Sequence, residues 1–470
     1  MTKETELKLR LHPEDIPALV SRLNADAVPQ THSTLKNWYL DTPDAALSTH
    51  RAALRIRQKG DGYEQTLKTR GKSVAGMQVR GEWNWPLTSP QADLSLLASA
   101  EVAEHWPAAI ATDQLGEVFT THFERQSWIY SAHGGEAEIV IDQGRIEAAG
   151  RSLPLCEVEL ELRSGDAACL WAMAAELSQS AALWLSDISK AERGYRLAGL
   201  SNAWQVRPAI KGDADVSEVL PELLHYELLS MKRMLEASLW DGEPCAQDAA
   251  EHAQALKTLP NLAGKVIKRR QTRELRTALD ALIAPLQALA LAEQLQGYLQ
   301  AADDAGMVGA ELKVLRTQAE TLRKSLRSDK SLAQAVLAAA SALFGLQEFS
   351  HGKESALHWL RHLLAERAGL MEEIKRHRPQ EAEQWRGRMP AITQLRQCAD
   401  YAQDLPAAAR GLGVQGGGIA AGSVRVLSDM LGAGLVLQRP WMLAADQALR
   451  SPDEYGEWAL EHLKSLGHQL

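Results

Sequence analysis

Glu4, Glu6 and Lys8 stand two residues apart, interleaved with Thr5, Leu7 and Leu9. In a β-strand, residues two apart project from the same face, so the three charges share one side and the leucines the other. The pattern recurs along the first 200 residues. Arg55 and Arg57 alternate with Leu54 and Ile56, and Lys68 follows Leu67. Arg80 and Glu82 alternate with Val79, Gly81 and Trp83, while Glu138 and Asp142 alternate with Ile139 and Ile141. Glu157, Glu159 and Glu161 alternate with Val158, Leu160 and Leu162, and Arg125 sits in Glu124-Arg125-Gln126. One such face on a lone strand is ordinarily solvated. As a set these faces are unusual: the charges are long Arg, Lys and Glu side chains, and they sort by strand into acidic and basic groups. Closed into a barrel with these faces inward, the strands would set carboxylates opposite cations. A dry interior of that kind is unstable, so a water-filled tunnel for a strongly charged ligand is expected. A polyphosphate with Mg²⁺ matches both walls, because Arg and Lys take phosphate oxygens and carboxylates take the hard cation.

The elements that must hold these residues follow from periodicity. Period-two runs over Glu4–Arg10, Ala53–Gln58, Tyr63–Thr69, Met77–Trp85, Glu136–Asp142 and Leu155–Leu162 predict strands. Gly60-Asp61-Gly62 joins two of them as a hairpin. Asp15–Leu23 and Asp166–Ser178 read as helices between strands. After Pro208 the alternation gives way to helical spacing over Val219–Leu239, Leu262–Leu282, Ala310–Leu326 and Lys353–Lys375. Expected domains are therefore a barrel over 1–202, a linker over 203–215, and an all-helical bundle over 216–470. The fold class is α+β: a closed antiparallel β-barrel tunnel with flanking helices, followed by the bundle.

Glu4-Thr5-Glu6-Leu7-Lys8 matches the ExExK signature of the CYTH, or triphosphate tunnel metalloenzyme, superfamily. The resemblance continues in order through Leu54-Arg55-Ile56-Arg57, Gln65-Thr66-Leu67-Lys68, Arg80-Gly81-Glu82, Ile141-Asp142-Gln143-Gly144, Glu157-Val158-Glu159-Leu160-Glu161 and Ser189-Lys190-Ala191-Glu192-Arg193-Gly194-Tyr195. It implies that Glu4, Glu6, Glu159 and Glu161 bind the metal and help place the attacking water. It further implies that Lys8, Arg55, Arg57, Lys68, Arg80, Arg125 and Lys190 bind phosphates, with Glu4, Glu6, Lys8 and Lys190 at the chemistry. Glu82, Glu138, Asp142 and Glu157 would line the tunnel, as further metal ligands or as partners of the basic residues. The implied activity is a metal-dependent inorganic triphosphatase, cleaving tripolyphosphate to pyrophosphate and phosphate with Mg²⁺, or Mn²⁺ in its place. Thiamine and nucleoside triphosphatases and adenylate cyclases share these residues, so the choice of substrate rests on resemblance to the bacterial CYTH-CHAD branch and on the want of a base-recognition element. A non-catalytic polyphosphate scaffold is the rival, and the intact acidic set argues against it.

In the helical half, Lys265, Arg269, Arg273 and Arg276 follow helical spacing, widened by Lys268 and Arg270. Arg316, Arg323 and Arg327 form a second basic group, and Arg361, Arg367, Lys375, Arg376 and Arg378 a third. The arrangement resembles a CHAD domain, which implies long-chain polyphosphate as a partner. His225, His252, His351, His358, His362 and His377 form no regular motif.

The chain has 470 residues and a net charge of −9, which argues against nucleic-acid or acidic-membrane binding by the whole surface. Its four cysteines show neither zinc spacing nor a disulfide framework. With a polar N-terminus and no apolar run expected to reach a membrane span, a cytoplasmic location is expected. Arg70-Gly71-Lys72-Ser73 lacks the earlier glycine of a P-loop, since position 66 is Thr66. His358 and His362 flank Trp359, not the glutamate of a zinc-protease helix.

Overall fold

A computed structural model describes residues 2–69, 71–98, 102, 106, 110, 112–200, 207–264, 266–303, 309–346, 349–350, 354–377, 379–403, 430, 460–461 and 463–465. The chain divides into two compact units, Met1–Trp204 with Ser328–Ser341, and Gln205–Arg327 with Ala342–Leu470.

The first unit is built on β1 (Thr2–Arg10), β2 (Val28–Asp41), β3 (Ala53–Lys59), β4 (Gly62–Lys68), β5 (Lys72–Val74), β6 (Met77–Leu87), β7 (Gly116–Ala132), β8 (Gly135–Ala148), β9 (Arg151–Ser164) and β10 (Trp184–Leu185). The pairings are antiparallel in the order β10-β1-β9-β8-β7-β2-β3-β4-β6-β5, and β1 also pairs with β6. That last pairing closes eight strands into a ring. β1 achieves it by dividing its length: Thr2 to Glu6 lie beside β6, and Glu6 to Arg10 lie beside β9. Closure leaves every central strand paired on both sides, and the curled sheet has an inside and an outside.

Both faces are buried, which is why the charge alternation is so sharp. Leu7, Leu9, Ile139, Val158 and Leu160 are buried on the outer face of β1, β8 and β9, which α3 (Ala168–Leu177) contacts, while α1 (Ile16–Asp26) contacts β2 and β7; Glu6, Lys8 and Glu159 turn inward and are also buried. A short α2 (Ala46–Thr49) follows β2, and α4 (Lys190–Ala198) covers β7 and β8. Two long strands, β2 and β7, were not delimited by alternation. The outer half of β2 is solvent-exposed and polar, so only Leu35, Asn37, Tyr39 and Asp41 carry the two-residue burial rhythm.

The second unit contains α5 (Val216–Glu236), α6 (Ala246–Leu262), α7 (Arg273–Asp303), α8 (Gly309–Arg327), α10 (Ala356–Arg376) and α11 (Ala382–Gln403). Residues 328–341, which include most of helix α9 (Lys330–Phe344), belong to the first unit. Of the expected linker, 203–206 lie outside the described residues. Asp215 is the N-cap of α5, its carboxylate accepting from the Ser217 amide at 2.7 Å.

Four expectations need correcting here. Leu262–Leu282 is not one helix: α6 ends at Leu262, Gly264 lies in the turns that follow, and α7 starts only at Arg273. The basic stripe there is consequently not a helix face, since Lys268, Arg269 and Arg270 lie in the turns and Lys265 lies outside the described residues. Nor is Arg323 a surface cation; it is buried, 3.0 Å from Glu293. The Arg367 and Lys375 side chains and Arg378 lie outside the described residues. Finally, Arg273–Gln294 is long and apolar enough to cross a membrane, with mean hydropathy 1.4, though 61% of it is buried inside the protein. That burial fits a core helix, whose apolar residues face neighbouring helices.

Candidate active site

Strand register, more than any single loop, assembles the tunnel. Across β1 and β9, Glu6 faces Glu161 and Lys8 faces Glu159. Across β4 and β6, Lys68 faces Glu82; across β3 and β4, Arg55 faces Thr66; across β2 and β3, Arg57 faces Asn37. Across β7, β8 and β9, Arg125 faces Asp142, which faces Glu157. Directly opposed residues interact across the sheet, so each charge finds its neighbour by pairing alone.

These faces enclose a cavity of about 380 Å³. Of the residues expected at the site, Glu4, Glu6, Lys8, Arg55, Arg57, Lys68, Glu82, Arg125, Glu159, Glu161 and Lys190 line it. Arg80 sits in β6 opposite Glu4, and its side chain lies outside the described residues. Glu138, Asp142 and Glu157 are not on the wall. Glu138 pairs with Arg163 beside Glu161, whereas Asp142 and Glu157 are fully buried behind the wall as partners of cations.

The acidic side is a cluster of Glu4, Glu6 and Glu161, with one carboxylate oxygen from each lying within 4.8 Å of the others. Burial, together with the nearby Glu159 and Glu4 carboxylates, pushes the Glu161 carboxyl up to about 7. Burial also raises Glu4, although Lys68 lies only 2.9 Å away. Glu82 goes the other way: burial works against its ionisation, but Lys68 at 3.0 Å and Arg55 bring it down to about 2.

Glu159, expected with the metal ligands, is placed differently. It is shared among Lys8, Lys190 and Arg125, each 3.1 Å away, and these cations outweigh its burial to hold its carboxyl well below the usual range. Behind it, Lys190 contacts Glu157 and is 2.7 Å from Asp142. Arg193 donates to Glu157 at 2.7 Å, and Arg125 holds Asp142 through two bonds of 2.7 and 2.6 Å. A second set of carboxylates, Asp142, Glu157 and Glu159, is thus closely spaced but already compensated by cations.

The opposite wall differs again. Arg57 Nε donates to Asn37 Oδ1 at 2.8 Å and Arg55 donates to Thr66 Oγ1 at 3.0 Å, yet among the described residues neither guanidinium has a carboxylate within ion-pairing distance. Burial and the adjacent Arg55 and Arg125 bring the Arg57 guanidinium down to about 9, still charged at neutral pH. Cations sheltered from water and lacking an ion-paired carboxylate are where an anion gains most.

Helix α4 delivers Lys190 from its first turn. The Ser189 hydroxyl caps the helix by accepting from the Glu192 amide at 3.1 Å, and Gly199 ends it at a left-handed φ of 79°. Gly194 lets the helix approach the barrel: a Cβ there would lie 2.2 Å from the Phe119 ring. Gly194→Ala is expected to destabilise the unit by about 1–3 kcal/mol, checked by chemical denaturation; an unchanged midpoint would mean that the helix can shift freely.

Further lining residues were missed by inspection of the chain. Glu64 and Thr66 precede Lys68 at the same two-residue spacing, Asn84 follows Glu82, and Arg163 follows Glu161. The period extended by one step finds Thr66, Asn84 and Arg163, and a second step finds Glu64. Tyr39, on a strand the alternation did not delimit, also lines the cavity.

Residues 2–195 match the family model described as the CYTH domain. The N-terminal part of this chain is a CYTH domain. A curated relative, an inorganic triphosphatase of Haemophilus influenzae, is 32% identical over 201 residues, covering 42% of this chain and 55% of that protein. The match thus spans about half of the relative's length. Among solved structures, a candidate adenylyl cyclase from Hippeastrum, described as having a dominant triphosphatase activity, is 21% identical. It covers 43% of this chain and 92% of its own, with a TM-score of 0.27. A Pyrococcus horikoshii protein is 16% identical, covering 40% of this chain and 97% of its own, with a TM-score of 0.28. The CYTH domain's charged cavity thus lies wholly within the matched residues.

Proposed function

We propose that the CYTH domain is a divalent-metal-dependent inorganic triphosphatase, cleaving tripolyphosphate to pyrophosphate and phosphate. The observation that carries this is the opposition, in one cavity, of the Glu4, Glu6 and Glu161 cluster and of Arg55 and Arg57, which among the described residues have no carboxylate within ion-pairing distance. A simple anion binder has no use for the first, and a simple cation site has no use for the second. The likeness to an inorganic triphosphatase supports the choice of substrate.

The acidic cluster fits a hard divalent cation. Its ligands are all carboxylate oxygens and they are close together, and burial with neighbouring carboxylates, not pairing with a cation, governs the Glu161 carboxyl. When bound, such an ion neutralises phosphate charge and acidifies water for in-line attack. The chain's own residues do the rest. Arg55 and Arg57 present guanidinium forks to phosphate oxygens. Lys8 and Lys68 stand between the two walls, each already beside a carboxylate, and neutralise charge as the phosphates enter. Arg125 and Lys190 are held by Asp142 and Glu157, so they offer positive charge at set positions with little reorganisation. Glu159 bridges Lys8 and Lys190, one carboxylate oxygen lying 3.1 Å from each ammonium.

Phosphate release should be fastest with tripolyphosphate when it is compared with ATP and thiamine triphosphate, each with Mg²⁺, and chelation by EDTA should abolish it. A clear preference for ATP with cyclic AMP as product would overturn the reading, and so would full activity after EDTA. Long-chain polyphosphate at the helical unit draws little support from its side chains. The first basic stripe is broken by turns, and Arg323 is buried against Glu293.

A further inference from the structure

The helical unit has a cavity of its own, about 190 Å³, lined from α5, α6 and α11. Four carboxylates line it, Glu227, Asp248, Glu251 and Asp400, against two guanidiniums, Arg207 and Arg396. Neighbours satisfy Glu227: Tyr401 donates to Oε1 at 2.8 Å, and His252 Nδ1 lies 2.6 Å from Oε2. Arg396 is shared between Glu251 and Asp400, 3.2 Å from the latter. Asp248 is exposed at the rim and makes no hydrogen bond or ion pair with a described residue. The cavity therefore keeps an excess of acid.

Acidic excess alone would say little. The second observation is Gln397, which is only 4% exposed, lines this cavity, and has no hydrogen-bond partner for its Nε2. Leaving a buried amide donor unsatisfied costs about 1–3 kcal/mol, and an oxygen acceptor inside the cavity would remove that cost.

The two features ask for different groups on one ligand: the carboxylates want a cation, and the amide wants an oxygen. A bare metal ion meets only the first, and among the described residues these carboxylates are not drawn together as Glu4, Glu6 and Glu161 are. A polyphosphate meets only the second and is repelled by the acids. The volume corresponds to about six waters' share of liquid, so the ligand is small.

We propose that this cavity binds a basic amino acid, with an ammonium group at Asp248 and Asp400 and the carboxylate accepting from Gln397 Nε2. Nothing in this rests on the triphosphatase reading.

Titration calorimetry on the full chain tests it, with L-ornithine, putrescine as the diamine lacking oxygen, and glutarate as the diacid lacking amine. L-ornithine is expected to bind saturably, one per chain, and at least about tenfold more tightly than either comparator. Asp248→Asn should weaken L-ornithine about tenfold. Gln397→Leu should weaken L-ornithine similarly and leave putrescine unchanged, since putrescine offers the amide nothing. Melting curves confirm that both variants are folded. Absence of saturable L-ornithine binding to the wild type overturns the proposal. So does putrescine binding as tightly as L-ornithine, or L-ornithine affinity unchanged in both variants.

Discussion

Glu6→Gln should lower the turnover of tripolyphosphate by about 10²–10³-fold while leaving the barrel folded. The substitution keeps the shape of the side chain and removes one charge from the Glu4, Glu6 and Glu161 cluster. The fold should tolerate this because Lys8, 3.9 Å from Glu6, retains Glu159 at 3.1 Å. Without metal the variant should melt no lower than the wild type, since like charges this close repel. Metal separates the two proteins. A ligand that binds only the folded state stabilises it by about 2.7 kcal/mol at a hundredfold excess over its Kd, so Mg²⁺ should raise the wild-type melting temperature clearly. In Glu6→Gln that rise should shrink or vanish. Near-wild-type turnover at saturating Mg²⁺, or an undiminished Mg²⁺ shift, would remove Glu6 from the metal site.

Much of this site was legible from spacing because strand geometry is strict. A two-residue period assigns Glu4, Glu6 and Lys8 to one face whatever surrounds them, and it does the same for Glu157, Glu159 and Glu161. What periodicity does not contain is register. Glu159 and Glu161 share a face, and from the chain alone they look equivalent. Pairing sets Glu159 against Lys8 and Glu161 against Glu6, and so gives one the company of cations and the other that of acids. The same holds for Asp142 and Glu157, which alternate like tunnel residues but sit behind the wall, because β8 and β9 are covered there by α4. In the helical half, cations at helical spacing suggested a continuous stripe. Helical spacing is meaningful only while the helix continues, and the break around Gly264 removes it.

Lys190→Met should be the most damaging change to stability in the CYTH domain, costing about 3–5 kcal/mol at neutral pH. The ammonium is buried amid three carboxylates, Asp142, Glu157 and Glu159, and it also lies 5.3 Å from the Phe123 ring centre. Methionine fills similar space and leaves those carboxylates with Arg125, Arg193 and Lys8 alone. Repulsion within a dry cluster then works against folding. The loss should depend on pH, in a direction set by Asp142. Burial opposes its charge, but Lys190 and Arg125 more than compensate and hold its folded-state carboxyl below the ordinary value. A depressed folded pKa contributes stability that is present above the unfolded value, near 4, and is lost as pH falls through the folded one. The wild type therefore loses this contribution in acid, whereas the variant has less of it to lose. The gap in unfolding free energy between the two should be widest at neutral pH and narrow below about pH 4. Urea melts of both proteins across that range measure it. A gap that stays constant would mean that Lys190 contributes through packing alone, and the charge cluster would then not be what holds α4 to the tunnel wall.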